Sequence, residues 1–315
     1  MGNKVAALLL TPQYRSYVWG GHRLRPGAER TAEVWVVHET NLVANGPLAG
    51  HSLAEVSAQM GADLLGRRLS EHTGLRFPLL IKLLDCAAWL SLQVHPNNEQ
   101  AVRLEGAGNF GKTEAWYILE AEAGAELLGG LRPGTTPDKL VQAIQGGTLL
   151  GKMQRLAVQA GDTLFIPAGM IHALGPGLLV YEVQQVSDIT YRVYDWDRPA
   201  SDGRPLHLEK SIAVANPHTV GAVAPGRQLA DGERRQLVAC DFFTLDVLAG
   251  ERHPAALDTG GESFHAVTVI EGQALVEGDG WQQPLARFET AVIPAACGTY
   301  RLRPVGAMKA LVARA

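Results

Sequence analysis

Two stretches of the chain are echoed later in it. EAWYILEAEAGAELLGG (114–130) resembles HAVTVIEGQALVEGDG (265–280), and TLFIPAGMIHAL (163–174) resembles TAVIPAACGTYRL (290–302). Each stretch reads as strand and tight turn. A chain that carries such a unit twice, in the same order, is expected to build two similar β bodies, because one unit alone leaves an apolar face uncovered. The first copy holds more residues between its two landmarks, which places an insertion there.

The rest of the pattern agrees with an all-β plan carrying helical insertions. Leu53, Val56, Met60, Leu64 and Leu65 recur at helical spacing and predict a helical segment over 51–72. NNEQAVRLEG (97–106) predicts a short polar helix. TTPDKLVQAIQG (135–146) opens with Thr136 as N-cap and Pro137 in the first turn, and predicts a third helical insertion over about 135–150. Strand-like runs cover Phe77–Leu84, Trp89–His95 and Trp116–Leu119, and strands resume after 150. The Pro/Gly/charge-rich stretch 218–236 is the natural linker. We therefore expect two jelly-roll domains, 1–220 with the helical insertions and 221–315 without them.

Composition excludes several classes. With 28 Lys+Arg against 32 Asp+Glu the net charge is −4, and no basic tract offers a footprint for nucleic acid or an anionic membrane. Three scattered cysteines, Cys86, Cys240 and Cys297, form neither a disulfide framework nor a cysteine zinc site and suggest a reducing, cytoplasmic setting. The apolar run near the N-terminus is too short for a secretory core, and Ala6 breaks the myristoylation pattern. The longest apolar stretch, 77–92, is interrupted by Lys82 and Asp85, so no membrane span is expected.

Three constellations bear on chemistry. GAGNFGKT (106–113) satisfies both the dinucleotide and the phosphate-loop patterns, which would make Lys112 and Thr113 nucleotide contacts. Such loops follow a buried strand and open a helix, whereas here a polar helical segment precedes and a β-leaning run follows. A turn entering a strand is the stronger reading. LSLQVHP (90–96), read as a strand, puts Ser91, Gln93 and His95 on one face. PAGMIHALGPG (167–177) delivers His172 at the start of a strand. Beyond it Glu182 and Gln184 share a face, Ser187–Asp188 turns the chain, and Arg192 stands between Tyr191 and Tyr194 on the next strand. Arg192, with Asp195 and Arg198 following, fits either a salt-bridged rim or a clamp for a phosphate dianion.

Gln93, His95, Glu114 and His172 together form a mixed nitrogen and oxygen set suited to Zn²⁺ or another divalent ion in an open site. The second copy offers His265 opposite Glu114 but Thr299 opposite His172, so the set is present once.

VWGG (18–21), LSLQVHP, GKTEAWYIL (111–119), PAGMIHALGPG and SDITYRVYDWDR (187–198), in this order, resemble the type I mannose-6-phosphate isomerases in their compact bacterial form. The resemblance is strong over residues 10–200. It implies a double cupin, two jelly rolls with zinc in the first, and one Zn²⁺ held by Gln93, His95, Glu114 and His172. It also implies Arg192 as the active-site arginine, Lys112 at the substrate, and Lys82 lining the pocket; Glu182 is expected there too. Where the family has Gly before Glu-x-Trp, this chain has Ala32, with Glu33 and Trp35 kept. The expected reaction is the reversible isomerisation of mannose 6-phosphate and fructose 6-phosphate through a cis-enediol, in a monomer or small homo-oligomer that binds a small phosphorylated sugar. Lys112, Glu182 and a metal-bound water are the candidate proton carriers. A cupin that binds sugar without this chemistry, and a phosphate-loop nucleotide enzyme, are the alternatives.

Overall fold

The fold is a pair of antiparallel β-sandwiches, seen in a computed structural model that describes residues 6–72, 74–199 and 204–315. Neither of its two compact units is continuous in sequence. One gathers the chain up to Gln13, Trp35–Ile81 and Arg227–Ala315; the other gathers Tyr14–Val34 and Lys82–Gly226. The change at Gly226 falls inside the Pro/Gly-rich 218–236 stretch.

The first unit faces a six-stranded sheet with a four-stranded one. The larger runs in the order Leu8–Leu9, Thr290–Ile293, His265–Glu271, Met308–Arg314, Thr244–Gly250, Arg234–Ala239; the smaller runs Ala255–Asp258, Thr299–Pro304, Ala274–Gly278, Trp281–Leu285. Val267, Val269 and Val312 from the larger meet Leu257, Val276 and Leu302 from the smaller in one core. Thr299–Pro304 buries every second residue, as a strand with one wet face must. The predicted helical segment forms as Leu53–Met60, Ala62–Leu65 and Arg67–His72, opened by a reciprocal capping box between Ser52 and Glu55.

The second unit sets a five-stranded sheet, Tyr191–Tyr194, Leu92–Val94, His172–Leu174, Glu126–Leu131, Met153–Ala157, against strands of a seven-stranded sheet. That sheet runs Val223–Ala224, Thr163–Ile166, Glu114–Ala121, Leu178–Gln185, Leu79–Cys86, Glu33–Val37 and Gln13–Arg15, of which Leu79–Cys86 enters this unit from Lys82 on. The period of two sorts its side chains. Leu127 and Leu174 point into the sandwich with Trp116, Ile118, Ile166 and Val180. Their neighbours Leu128 and Ala173 point the other way, under Leu140, Ile144 and Val214 of helices Pro137–Gln145 and Leu208–Val214. The insertion near 137–145 thus covers the outer face of a sheet. Its expected cap is present, with Thr136 Oγ1 accepting from the Lys139 amide. The strand expected over Trp89–His95 is shorter, Leu92–Val94, since Trp89 leaves the sheet to stack on Trp196 at 4.8 Å.

The echo seen in the sequence is a repeat of register. Glu114 pairs with Ile166, and His265 pairs with Ile293. His172 and Thr299 each begin the strand that follows. Among the described residues no helix is long and apolar enough to cross a membrane.

Candidate active site

The second unit brings the expected ligating groups together. His95 is 1% exposed, and Glu114 and His172 are fully buried. Their donor atoms lie within 4.8 Å of one another. Each imidazole is oriented from behind. His95 Nδ1 donates to the Ile189 carbonyl at 2.8 Å, and His172 Nδ1 donates to the Met170 carbonyl at 2.9 Å. Both Nε2 lone pairs are therefore left to the interior, the arrangement that fixes the tautomer of a metal-binding histidine.

Glu114 Oε1 and His172 Nε2, 3.2 Å apart, have no hydrogen-bond partner although both atoms are buried. Unpartnered buried acceptors are costly, so the set is chemically incomplete without a cation. Gln93 lies on the same sheet face, with His172 and Arg192 as its register partners on either side.

Lys112 sits among these groups. Its Nζ is 3.0 Å from His95 Nε2 and donates to Glu114 Oε2. Burial pushes His95 down, and the Lys112 ammonium pushes it further, so the ring is neutral. Burial would raise Glu114, but Lys112 and His95 outweigh it and keep the carboxyl well below its usual range.

A cavity of about 240 Å³ opens beside this cluster, lined by Gln93, Lys112, Lys82, Glu182 and Arg192. Lys82 bridges two carboxylates, Glu33 at 3.5 Å and Glu182 at 3.4 Å. Burial lowers the Lys82 pKa, yet Glu33 and Glu182 raise it more, so the ammonium is firmly charged. Glu182 accepts from Trp116 Nε1 at 2.8 Å. Its carboxyl is raised by burial first and by Glu114 second, against the pull of Lys112 and Lys82.

The two readings of Arg192 are separated by its neighbours. Asp195 is taken by Arg198 at 3.1 Å and by Arg204 at 2.8 Å. Arg192 makes no ion pair among the described residues, and its Nε is buried without a partner. Burial and then Arg204 depress its pKa. The salt-bridged rim exists, but Arg192 is outside it and faces the cavity.

The phosphate-loop pattern is explained differently. The amides that would cradle a phosphate are used internally: Gly111 N–H donates to Asn98 Oδ1, Lys112 N–H to the Pro96 carbonyl and Thr113 N–H to Gln185 Oε1. A strand, Glu114–Ala121, follows where a helix would be needed. A Cβ on Gly111 would lie 2.5 Å from the Asn97 carbonyl carbon, which is why glycine stands there. VWGG likewise reports close packing, since a Cβ on Gly21 would lie 2.4 Å from Asp85 Oδ2.

The cavity lining also includes residues that the sequence did not mark as a site, among them Tyr17, Asp188, Arg204 and His207. Arg204 and His207 arrive from an irregular segment with no periodicity to mark them. A larger depression of about 540 Å³, around Asp258, Tyr300 and Arg301, lies in the other unit. None of the unpartnered buried side-chain atoms belongs to it, so the smaller cavity is the better candidate.

Residues 8–110 match the family described as phosphomannose isomerase type I, catalytic domain. The mannose-6-phosphate isomerase of Streptococcus mutans is 38% identical over 76% of this chain and 77% of its own length. Mannose-6-phosphate isomerase ManA of Bacillus subtilis is 33% identical over 94% of this chain and 95% of its own. A crystal structure of the Bacillus subtilis mannose 6-phosphate isomerase, 32% identical, superposes with a TM-score of 0.87 over 98% of this chain and 99% of that one.

Proposed function

The chain belongs to the type I phosphomannose isomerases, and from that premise we propose that it interconverts mannose 6-phosphate and fructose 6-phosphate. The observation that carries the proposal is the meeting, beside one cavity, of a buried His95–Glu114–His172 cluster with two unpartnered atoms, Glu114 Oε1 and His172 Nε2, and an arginine that makes no ion pair among the described residues. A sugar phosphate needs both, a charged anchor for its remote group and electrostatic stabilisation where it reacts.

In this reading Gln93, His95, Glu114 and His172 hold one Zn²⁺, for which two imidazoles and a carboxylate are suitable donors. The ion, when bound, supplies Lewis-acid polarisation of the oxygens at the reacting carbons. Arg192 binds the phosphate, which a guanidinium can do with two parallel hydrogen bonds. Lys82, held charged by Glu33 and Glu182, offers a fixed ammonium to a developing enediolate oxygen.

The reaction removes the proton at C2 of the open-chain aldose and places that electron pair in the C1–C2 double bond as the carbonyl pair moves onto O1; a proton then returns to C1 while the O2 hydroxyl proton passes to O1 and C2=O forms. Lys112 and Glu182 are the side chains placed to hold the proton taken from C2. Glu182 has the more suitable character, because its burial favours the protonated carboxyl more than an ordinary glutamate's environment does. The reading also carries a cytoplasmic location, in keeping with three unpaired cysteines, and a monomer or small homo-oligomer.

The test is a coupled assay for fructose 6-phosphate formed from mannose 6-phosphate, before and after chelation and after return of zinc. Activity abolished by chelation and restored by zinc is expected. An inactive protein that nonetheless carries stoichiometric metal would be a sugar-binding cupin of another kind, and the proposal would fall.

A further inference from the structure

Arg192 has a free head and a tethered backbone. Its guanidinium makes no ion pair among the described residues, so its direction is set from the main chain. That main chain lies on Tyr191–Tyr194, the edge strand of its sheet. An edge strand leaves alternate N–H and C=O groups pointing away from the ladder. At Arg192 both outward groups are taken by one residue. The Arg192 N–H donates to His207 Nδ1 at 3.2 Å, and the His207 N–H donates to the Arg192 carbonyl at 2.8 Å. His207 also lines the cavity, beside Arg192 and Arg204.

We propose that His207 is a positioning residue for Arg192: its neutral imidazole completes a two-point clamp that aims the arginine into the cavity, and protonation of the ring opens the clamp and weakens binding of a dianion. The inference rests on the reading of Arg192 as the anion anchor. An imidazole accepts at Nδ1 only while that nitrogen keeps its lone pair, so the cation turns an acceptor into a donor facing another donor.

The groups facing the ring are Arg192 and Lys210, which oppose its charge, and Glu105, which favours it; the Tyr191 ring lies 6.1 Å away. Burial comes first and the two cations second in holding His207 below the ordinary histidine range, so the clamp is closed at neutral pH.

Two variants and two readouts test this. His207→Ala removes the acceptor, whereas His207→Asn places an amide oxygen near the Nδ1 position and cannot protonate. Sulfate serves as the dianion because its charge is constant between pH 5 and 7, whereas a phosphate ester titrates near ~6. For His207→Ala, KM for mannose 6-phosphate and Kd for sulfate are expected to rise roughly tenfold, as for loss of one hydrogen bond, with kcat and bound metal little changed. His207→Asn is expected to stay near wild type at pH 7 and to lack the weakening of sulfate binding that wild type shows towards pH 5.

Unchanged KM and sulfate affinity in His207→Ala would overturn the clamp. Sulfate binding that strengthens towards pH 5 in wild type but not in His207→Asn would also overturn it, making His207 a direct cationic contact. If His207→Ala fails to fold, the pH profile of His207→Asn decides. A wild type that binds sulfate as expected but does not isomerise the sugar would sink the isomerase reading and leave the clamp standing.

Discussion

Gln93 and His172 are register partners across an antiparallel pair, so their side chains leave the same face of the sheet side by side. Arg192 is the partner of Gln93 on the other side. With strands spaced ~4.8 Å apart, the row from His172 to Arg192 spans roughly 10 Å. One face of one sheet thus carries two members of the donor set, Gln93 and His172, at one end and the proposed anion anchor Arg192 at the other, with Glu114 supplied by the facing sheet, a span suited to a sugar with a phosphate at its far carbon.

Removing members of the row should separate the two ends. His172→Ala is expected to lose bound metal and activity together, with the fold retained. Gln93→Ala is expected to weaken metal binding by at least the roughly ten- to hundredfold lost when a group that merely supports a metal ligand is removed. Metal analysis after dialysis, read against activity on returning zinc, checks both. Metal retained at wild-type affinity in His172→Ala would place the ion elsewhere.

Arg192→Ala should do the opposite, keeping the metal and losing the substrate. Loss of charge-assisted hydrogen bonds worth about 2–3 kcal/mol corresponds to roughly a 30- to 150-fold fall in kcat/KM. If the phosphate is bound as firmly in the Michaelis complex as in the transition state, the change is carried by KM. Steady-state kinetics with metal content measured on the same preparation distinguishes this from a folding defect.

Much of this candidate site was legible in the sequence because its candidate ligands follow local rules. Gln93 and His95 are two residues apart on an extended segment, and Glu114 and His172 each begin a strand that the repeat marks. His207 and Arg204 were not legible: they reach the cavity from a segment with neither period, and only the completed sheet edge shows that His207 meets the Arg192 main chain and Arg204 the Asp195 carboxylate. The grouping of residues 35–81 with the C-terminal strands has the same character. It depends on contacts such as Leu8 with Val292 and the Phe77 ring 4.4 Å from Phe264, which leave no local periodicity.

Gly111→Ala tests how closely the GKTE turn is packed. The added methyl would lie 2.5 Å from the Asn97 carbonyl carbon and 2.6 Å from the Asn98 amide nitrogen, both main chain and unable to step aside cheaply. Overpacking of this kind costs about 1–3 kcal/mol. Because Lys112 and Glu114 follow directly, activity should fall further than stability alone accounts for. Thermal unfolding and kcat, compared with a Gly108→Ala control whose added methyl meets nothing but whose φ of +85° carries its own strain, separate steric from conformational effects.

His265 occupies in the second copy the register position of Glu114, and there the position serves stability. Its Nδ1 lies 2.8 Å from the Tyr300 hydroxyl, and the residue is 2% exposed. Burial first, then Arg314 and Arg234 against Asp258, lower its pKa to about 4. Between that value and the unfolded value near ~6.5, the unfolded chain binds a proton that the folded one refuses, so stability rises with pH there. The contribution is complete above ~6.5 and is lost as pH falls towards 4, to a limit of about 3 kcal/mol, with about 2 kcal/mol of it gone by pH 5. Amide exchange at Val267 and Val269, on the same strand, should therefore accelerate by more than tenfold from pH 7 to pH 5 after correction for intrinsic rates. His265→Gln should be less protected at pH 7 but nearly flat across that interval. An equal acid response in the variant would assign the effect to other groups.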